Sequence, residues 1–134
     1  RLNEYDYLRM IYESDFGLFP SFAEGWNLPL AECMATGLPC IINDETAHKF
    51  YFEHDFGCYR LVNSSKVPAY DGRWFFGTGN WYQTDFKELV QGINFFSKNE
   101  NIGNINQSLE HKRELLSWKI PAAKIVNYLT TRQK

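Results

Sequence analysis

Residues 15–42 restrict the fold of this chain more than any other stretch. The short apolar run of residues 16–19 is bounded by Asp15 on one side and Pro20-Ser21 on the other, and it reads as a buried strand of a parallel sheet. Leu28–Thr36 then holds good helix formers, with Pro29 at the start and Gly37 just past the end, the usual asymmetry of helix termini. After a tight Gly-Leu-Pro turn, Pro39-Cys40-Ile41-Ile42 supplies a second strand. Strand, helix and returning strand make a βαβ unit. The expected fold class is therefore α/β, a Rossmann-like parallel sheet flanked by helices.

The remaining segments fill in around that unit. Leu2, Tyr5, Leu8, Ile11 and Tyr12 recur at helical spacing, so an amphipathic helix is expected to open the chain and end near Ser14. A helix over residues 46–55 and a short strand over residues 58–62 follow. Residues 63–80 carry Ser, Pro, Gly and Asp in turn-forming combinations such as Asp71-Gly72 and Gly77-Thr78-Gly79, and they are expected to form a long surface loop. Helical spacing returns over residues 84–98 through Phe86, Leu89, Val90, Ile93 and Phe96, with Thr84 as the N-cap. Two more helices are placed at about residues 105–116 and 117–130.

Composition narrows the classes of function. At 134 residues the chain suits one domain or part of one. It opens with Arg1 rather than Met, so a piece of a longer chain is expected. A formal net charge of -2 gives no basic footprint for a phosphate backbone, so nucleic acid is not an expected partner. No apolar run approaches the roughly 20 residues of a membrane-spanning helix, and no signal-peptide pattern opens the chain. Cys33, Cys40 and Cys58 are odd in number and form no CxxC pair, which suits a reducing compartment and a cytoplasmic location.

The chemistry concentrates in residues 19–40. A loop leaving the C-terminal end of a parallel strand, followed by a helix start, is where open α/β sheets bind ligands. The free N–H groups of that helix begin near Leu28, and their partial positive charge favours a phosphate. Glu24 stands just before the helix and Glu32 about one turn into it, so two carboxylates could flank one bound molecule and accept hydrogen bonds from vicinal hydroxyls. A ligand with a phosphate in the middle and a sugar at each end fits this pattern. Taken singly, a surface Glu is more often solvated than functional.

The full string, FPSFAEGWNLPLAECMATGLPC, resembles the signature of the large retaining GT-B glycosyltransferase family: Pro-Ser, Glu-Gly-Phe-Gly-Leu-Pro, then Glu-Ala-Met-Ala, Gly and Pro. Glu24 and Glu32 keep the seven intervening residues of that pattern. Residues 12–20 upstream and Ser117-Trp118 downstream are also similar to the family, so the resemblance covers most of the chain. It implies part of the C-terminal, donor-binding domain of a GT-B fold over residues 1–134, and transfer of a sugar from a nucleoside diphosphate to an unidentified acceptor. By the same resemblance Glu24 contacts the donor sugar and Glu32 the ribose. The backbone N–H groups of Gly25, Trp26, Asn27 and Leu28 meet the sugar and diphosphate. No metal or other cofactor is implied.

The family's second Gly is Asn27 here, the non-glycine residue type that best tolerates positive φ, and its side chain is a candidate sugar contact. After the second strand the family tends to have a Gly pair and a Glu, where this chain has Asn43-Asp44-Glu45. The family's upstream Arg and Lys, which neutralise the diphosphate, and its acceptor domain have no counterpart in the chain. This piece alone is expected to be inactive and to depend on the remainder of the parent chain. A non-catalytic nucleotide-sugar-binding or interaction module with the same fold is the alternative. Cys40, His48, His54 and Cys58 match no familiar zinc spacing. Trp74, Phe75, Phe76, Trp81 and Tyr82 read either as a sugar-stacking platform or as aromatics anchoring their own loop.

Overall fold

The computed structural model describes residues 3–54, 56–98 and 109–131. A three-stranded parallel sheet is built from β1 (Gly17–Phe19), β2 (Cys40–Asn43) and β3 (Tyr59–Leu61), in that spatial order. Gly17 pairs with Cys40 and Phe19 with Ile42 on one side of β2, while Ile41 pairs with Tyr59 and Asn43 with Leu61 on the other. Helix α1 (Glu4–Tyr12) precedes the sheet, α2 (Leu28–Thr36) joins β1 to β2, and a single 3-10 turn (Thr46–His48) leads into α3 (Lys49–Glu53) on the way to β3. The mixed α/β architecture, with helices flanking a parallel sheet, is compatible with a Rossmann-like fold, as the βαβ reading expects.

Successive side chains of a strand point to opposite faces, and β2 uses both. Cys40 and Ile42 pack with Ile11 of α1, with Leu30, Cys33 and Met34 of α2, and with Tyr51 and Phe56. Ile41 packs on the other face with Leu61 of β3 and Phe96 of α4 (Phe86–Phe96). A Cβ on Gly92 of α4 would come within 2.9 Å of the Tyr59 ring and 3.1 Å of Ile41 Cγ2, so glycine lets that helix approach the sheet. Gly37, at φ 87°, ends α2 in the left-handed conformation that glycine adopts without strain. No helix among the described residues is long and apolar enough to cross a membrane.

Several expectations need correction. Residues 63–80 do not form a long loop: β4 (Ser64–Tyr70) and β5 (Phe76–Thr84) make an antiparallel hairpin, paired from Ser64↔Thr84 to Tyr70↔Phe76. The reason lies in its tip. One Asp71 carboxylate oxygen accepts the N–H groups of Arg73, Trp74 and Phe75 at 2.7–2.9 Å and closes the turn. Gly77-Thr78-Gly79 is not a turn but part of β5, in a stretch where the register shifts between Pro68 and Tyr70, with φ of 82° and 89° at the glycines. Thr84 ends β5, and the cap of α4 is Asp85, whose carboxylate accepts the Lys87 and Glu88 N–H groups at 2.8 and 3.0 Å.

The opening helix exists, but its apolar side is largely uncovered. Ile11 is buried, while Tyr5 is 74% and Tyr12 71% exposed, because α1 meets the domain through only one edge of that side. Helices α5 (Leu109–Leu115) and α6 (Lys119–Thr131) match the last two expected segments, and none of α6 is buried. Residues 105–108, Leu2 and Asp55, which fell within expected elements, lie outside the described residues.

Candidate functional site

The loop between β1 and α2 owes its shape to Asn27. This residue sits at φ 65°, ψ 75°, in the left-handed region that Asn tolerates better than any other side chain except glycine's hydrogen. From there its Oδ1 accepts the Leu30 N–H at 3.2 Å and caps the helix. Its Nδ2 donates to His48 Nε2 at 3.0 Å. Both polar ends of the amide therefore have a partner within the protein.

That contact opens a relay. With Nε2 accepting from Asn27, His48 Nδ1 carries the proton and donates to Asn43 Oδ1 at 2.6 Å, and Asn43 Nδ2 donates to the Ser21 carbonyl. Asn43 and His48 are wholly buried. Burial pushes the His48 pKa down, against smaller upward pulls from the Glu24 carboxylate and the Asn43 backbone, which favours the neutral imidazole. The relay ties the end of β2 to both ends of the β1–α2 loop. Tyr51 adds a further clamp by donating its hydroxyl to the Trp26 carbonyl at 3.3 Å.

Glu24 is half-buried, and its backbone is held from the far side of the loop. Its N–H donates to Thr46 Oγ1 at 3.1 Å, and its carbonyl accepts the Ala47 N–H at 3.4 Å. Thr46 holds φ at 54°, a conformation strongly disfavoured for a β-branched residue, and such strain collects at functional sites. Gly25 is exposed, and a Cβ there would meet nothing within 4 Å. Among the described residues no protein group accepts from the N–H groups of Gly25, Trp26, Asn27 or Leu28.

Glu32 stands apart from Glu24 in one respect. It lines a groove of about 380 Å³ with Trp26, Leu28, Phe50, Leu115 and Trp118, and Glu24 is not in that lining. Trp26 packs in the groove against Phe50, the rings tilted by 52° with centroids 5.0 Å apart. Tyr7 of α1 donates its hydroxyl to Glu32 Oε2 at 2.5 Å. Burial, and then the carboxylate itself, push the Tyr7 pKa up to about 12, so the phenol remains a donor across the working pH range.

The hairpin leans on the same loop. The Tyr82 N–H donates to the Phe22 carbonyl at 2.9 Å, and the rings of Phe22 and Trp81 lie 5.7 Å apart. Of the aromatic cluster, Phe75 and Trp81 pack together at 5.5 Å, whereas Trp74 and Phe76 are 72% and 66% exposed. Cys40 and Cys58 share the apolar cluster between β2 and α2. Cys58 approaches Met34 Sδ at 3.5 Å, His54 packs on the Phe50 ring, and His48 belongs to the relay.

Sequence reasoning missed Tyr7, Asn43, Thr46 and His48. A periodic apolar pattern carries no information about them. The one signal was the replacement of the family's Gly by Asn27, which calls for a partner to its amide.

Comparison with known proteins comes to bear on this geometry. No protein-family model matches the chain, and no solved structure matches it. The chain is 27% identical over 124 residues to glycogen (starch) synthase isoform 2 of Saccharomyces cerevisiae, an alignment that covers 85% of this chain and 16% of that protein. Spread over most of the chain, this similarity supports a glycosyltransferase relationship.

Proposed function

We propose that the chain supplies part of the donor site of a retaining glycosyltransferase of the GT-B type, which moves a sugar from a nucleoside diphosphate to an acceptor. One observation carries the reading: among the described residues no protein group accepts from the N–H groups of Gly25 to Leu28, which stand between Glu24 and Glu32 in sequence, on a loop that the buried relay holds in shape. Similarity to a protein named glycogen synthase supports the glycosyltransferase part of this reading.

In this reading the diphosphate rests against the start of α2, where unsatisfied donors and the helix dipole stabilise negative charge. Glu32 holds the ribose with Oε1, since Tyr7 occupies Oε2. Glu24 accepts hydrogen bonds from the donor sugar. As the bond from the anomeric carbon to the phosphate oxygen breaks, the ring gains positive charge and Glu24 stabilises it, while the leaving phosphate gains negative charge and is stabilised at the helix start. The departing phosphate takes the proton of the acceptor hydroxyl. Basic groups that neutralise the diphosphate come from the remainder of the parent chain, and no metal takes part.

Titration of the chain with UDP, GDP and ADP tests the donor site, since an interaction domain with ornamental carboxylates binds none of them. In the full-length parent, Glu32→Ala is expected mainly to raise KM, because the ribose is held equally in ground and transition states. Glu24→Ala is expected to depress kcat more than it raises KM. A hydrogen bond to a charged group is worth about 1.5–3 kcal/mol, or roughly tenfold to a hundredfold in either parameter. Parental kinetics in both variants would overturn the reading.

A further inference from the structure

The donor reading leaves the hairpin without a role, yet its inner side forms a second groove. A cavity of about 440 Å³ runs between β5 and the β1–α2 loop, walled by Phe22, Phe75 and Trp81, with Thr78, Gly79 and Asn80 along one side. Small-molecule sites span roughly 300–1,000 Å³. None of the residues lining this groove carries a charge.

Local structure explains how these groups come together. The left-handed glycines 77 and 79 sit in the irregular part of β5, where an offset in pairing re-aims neighbouring side chains. Nothing lies within 4 Å of where a Cβ would stand on either glycine, so the backbone there is open to an approaching ligand. Trp81 packs against the rings of both Phe22 and Phe75, and those two residues are 44% and 45% exposed. The whole wall is tied to the donor loop by the hydrogen bond from the Tyr82 N–H to the Phe22 carbonyl, two residues before Glu24.

An uncharged groove disfavours a nucleoside diphosphate, which needs cationic or N–H partners for its phosphates. Aromatic rings instead offer a flat apolar face. The Thr78 hydroxyl, the Asn80 amide and the Gly79 backbone add donors and acceptors beside it. A pyranose ring needs that combination, because it presents a C–H face and a rim of hydroxyl groups.

We propose that this groove binds a neutral oligosaccharide and holds it as the acceptor glycan beside the donor loop; the acceptor role rests on the donor-site reading above, whereas the binding itself does not. Isothermal titration of the chain with maltohexaose, cellohexaose and mannohexaose, with UDP, GDP and ADP run in parallel, separates the two. At least one hexasaccharide is expected to bind with an affinity unchanged between low and high salt, since screening acts on charges. Phe75→Ala and Asn80→Ala should each weaken it by about tenfold, the scale of losing one central contact, and leave nucleotide affinity alone. Amide exchange at Tyr82 reports whether the hairpin stays docked in each variant. If nucleotides bind and no hexasaccharide does, the groove assignment falls and the donor reading stands. If a hexasaccharide binds through Phe75 and Asn80 and no nucleotide binds, the groove stands and its acceptor role falls. Binding untouched by both variants, or a dimer that Phe75→Ala dissociates, overturns the assignment.

Discussion

In the parallel sheet, β2 is buried along its whole length, and Ile41 and Ile42 enter cores on opposite faces. In the hairpin every residue from 71 to 80 is exposed, and shape comes from the Asp71 turn, the strand ladder, the Tyr82 to Phe22 hydrogen bond and the Ser64 hydroxyl, which donates to Glu45 Oε1 at 3.1 Å. The first region is held by burial, the second by local polar contacts. The two should therefore respond to substitution and to pH on different scales.

The largest effect is expected in the sheet. Ile42→Ala leaves a cavity between α2 and α3 and should cost about 2–5 kcal/mol in urea unfolding. A loss below about 1 kcal/mol would mean that β2 is not the buried centre of this fold.

Next comes the relay. His48→Ala removes the partner of both Asn27 Nδ2 and Asn43 Oδ1, and an unsatisfied buried polar group costs about 1–3 kcal/mol. The pH dependence has a fixed sign. The folded-state pKa of His48 lies below its unfolded value, so the stability it contributes is present above the unfolded pKa near 6.5 and is lost as pH falls toward the folded pKa. Chemical denaturation between pH 5 and 8 should show that decline in the parent chain and a flatter profile in His48→Gln. An equal slope in both would break the relay as the source.

Asn27→Ala should cost about 0.5–2 kcal/mol from the lost cap, with strain at positive φ in addition, whereas Asn27→Gly relieves the strain and recovers part of the loss. Thermal unfolding of the pair separates cap from conformation.

The hairpin should give the smallest changes. Asp71 is held below the usual carboxylate range by the Phe75, Arg73 and Trp74 N–H groups, so its contribution is present above the unfolded pKa and lost as pH falls through the folded one. Asp71→Asn should speed amide exchange at residues 73–75 and barely move global unfolding. Trp74→Ala should alter stability by no more than about 0.5 kcal/mol. A large global effect of either would show that the hairpin belongs to the same cooperative unit as the sheet.

The same contrast explains what could be read in the sequence. The limits of α2 were legible to the residue, because Pro29 and Gly37 mark its ends chemically. Strands β1 and β2 were legible as apolar runs between turn residues. The hairpin was not: Ser64 to Tyr70 shows no apolar alternation, Pro68 argues against a strand, and the glycines of β5 imitate a turn. The spacing of Glu24 and Glu32 within a longer motif singles them out as candidates, whereas Tyr7 and His48 lie 25 and 21 residues from their partners and only the fold brings them together.

The foot of the hairpin is closed by the Asp85 N–H, which donates to the Asn63 carbonyl at 2.8 Å, and by the Glu88 carboxylate, which accepts the Val62 and Asn63 N–H groups at 3.0 and 2.8 Å. For the sheet behind it, residues 64–84 are thus a detour that returns to its point of departure. A short linker could stand in for the excursion without rethreading any strand, and a longer one could be grafted at the same junction. Such a junction lets the segment facing the loop be exchanged while the parallel-sheet frame stays as it is.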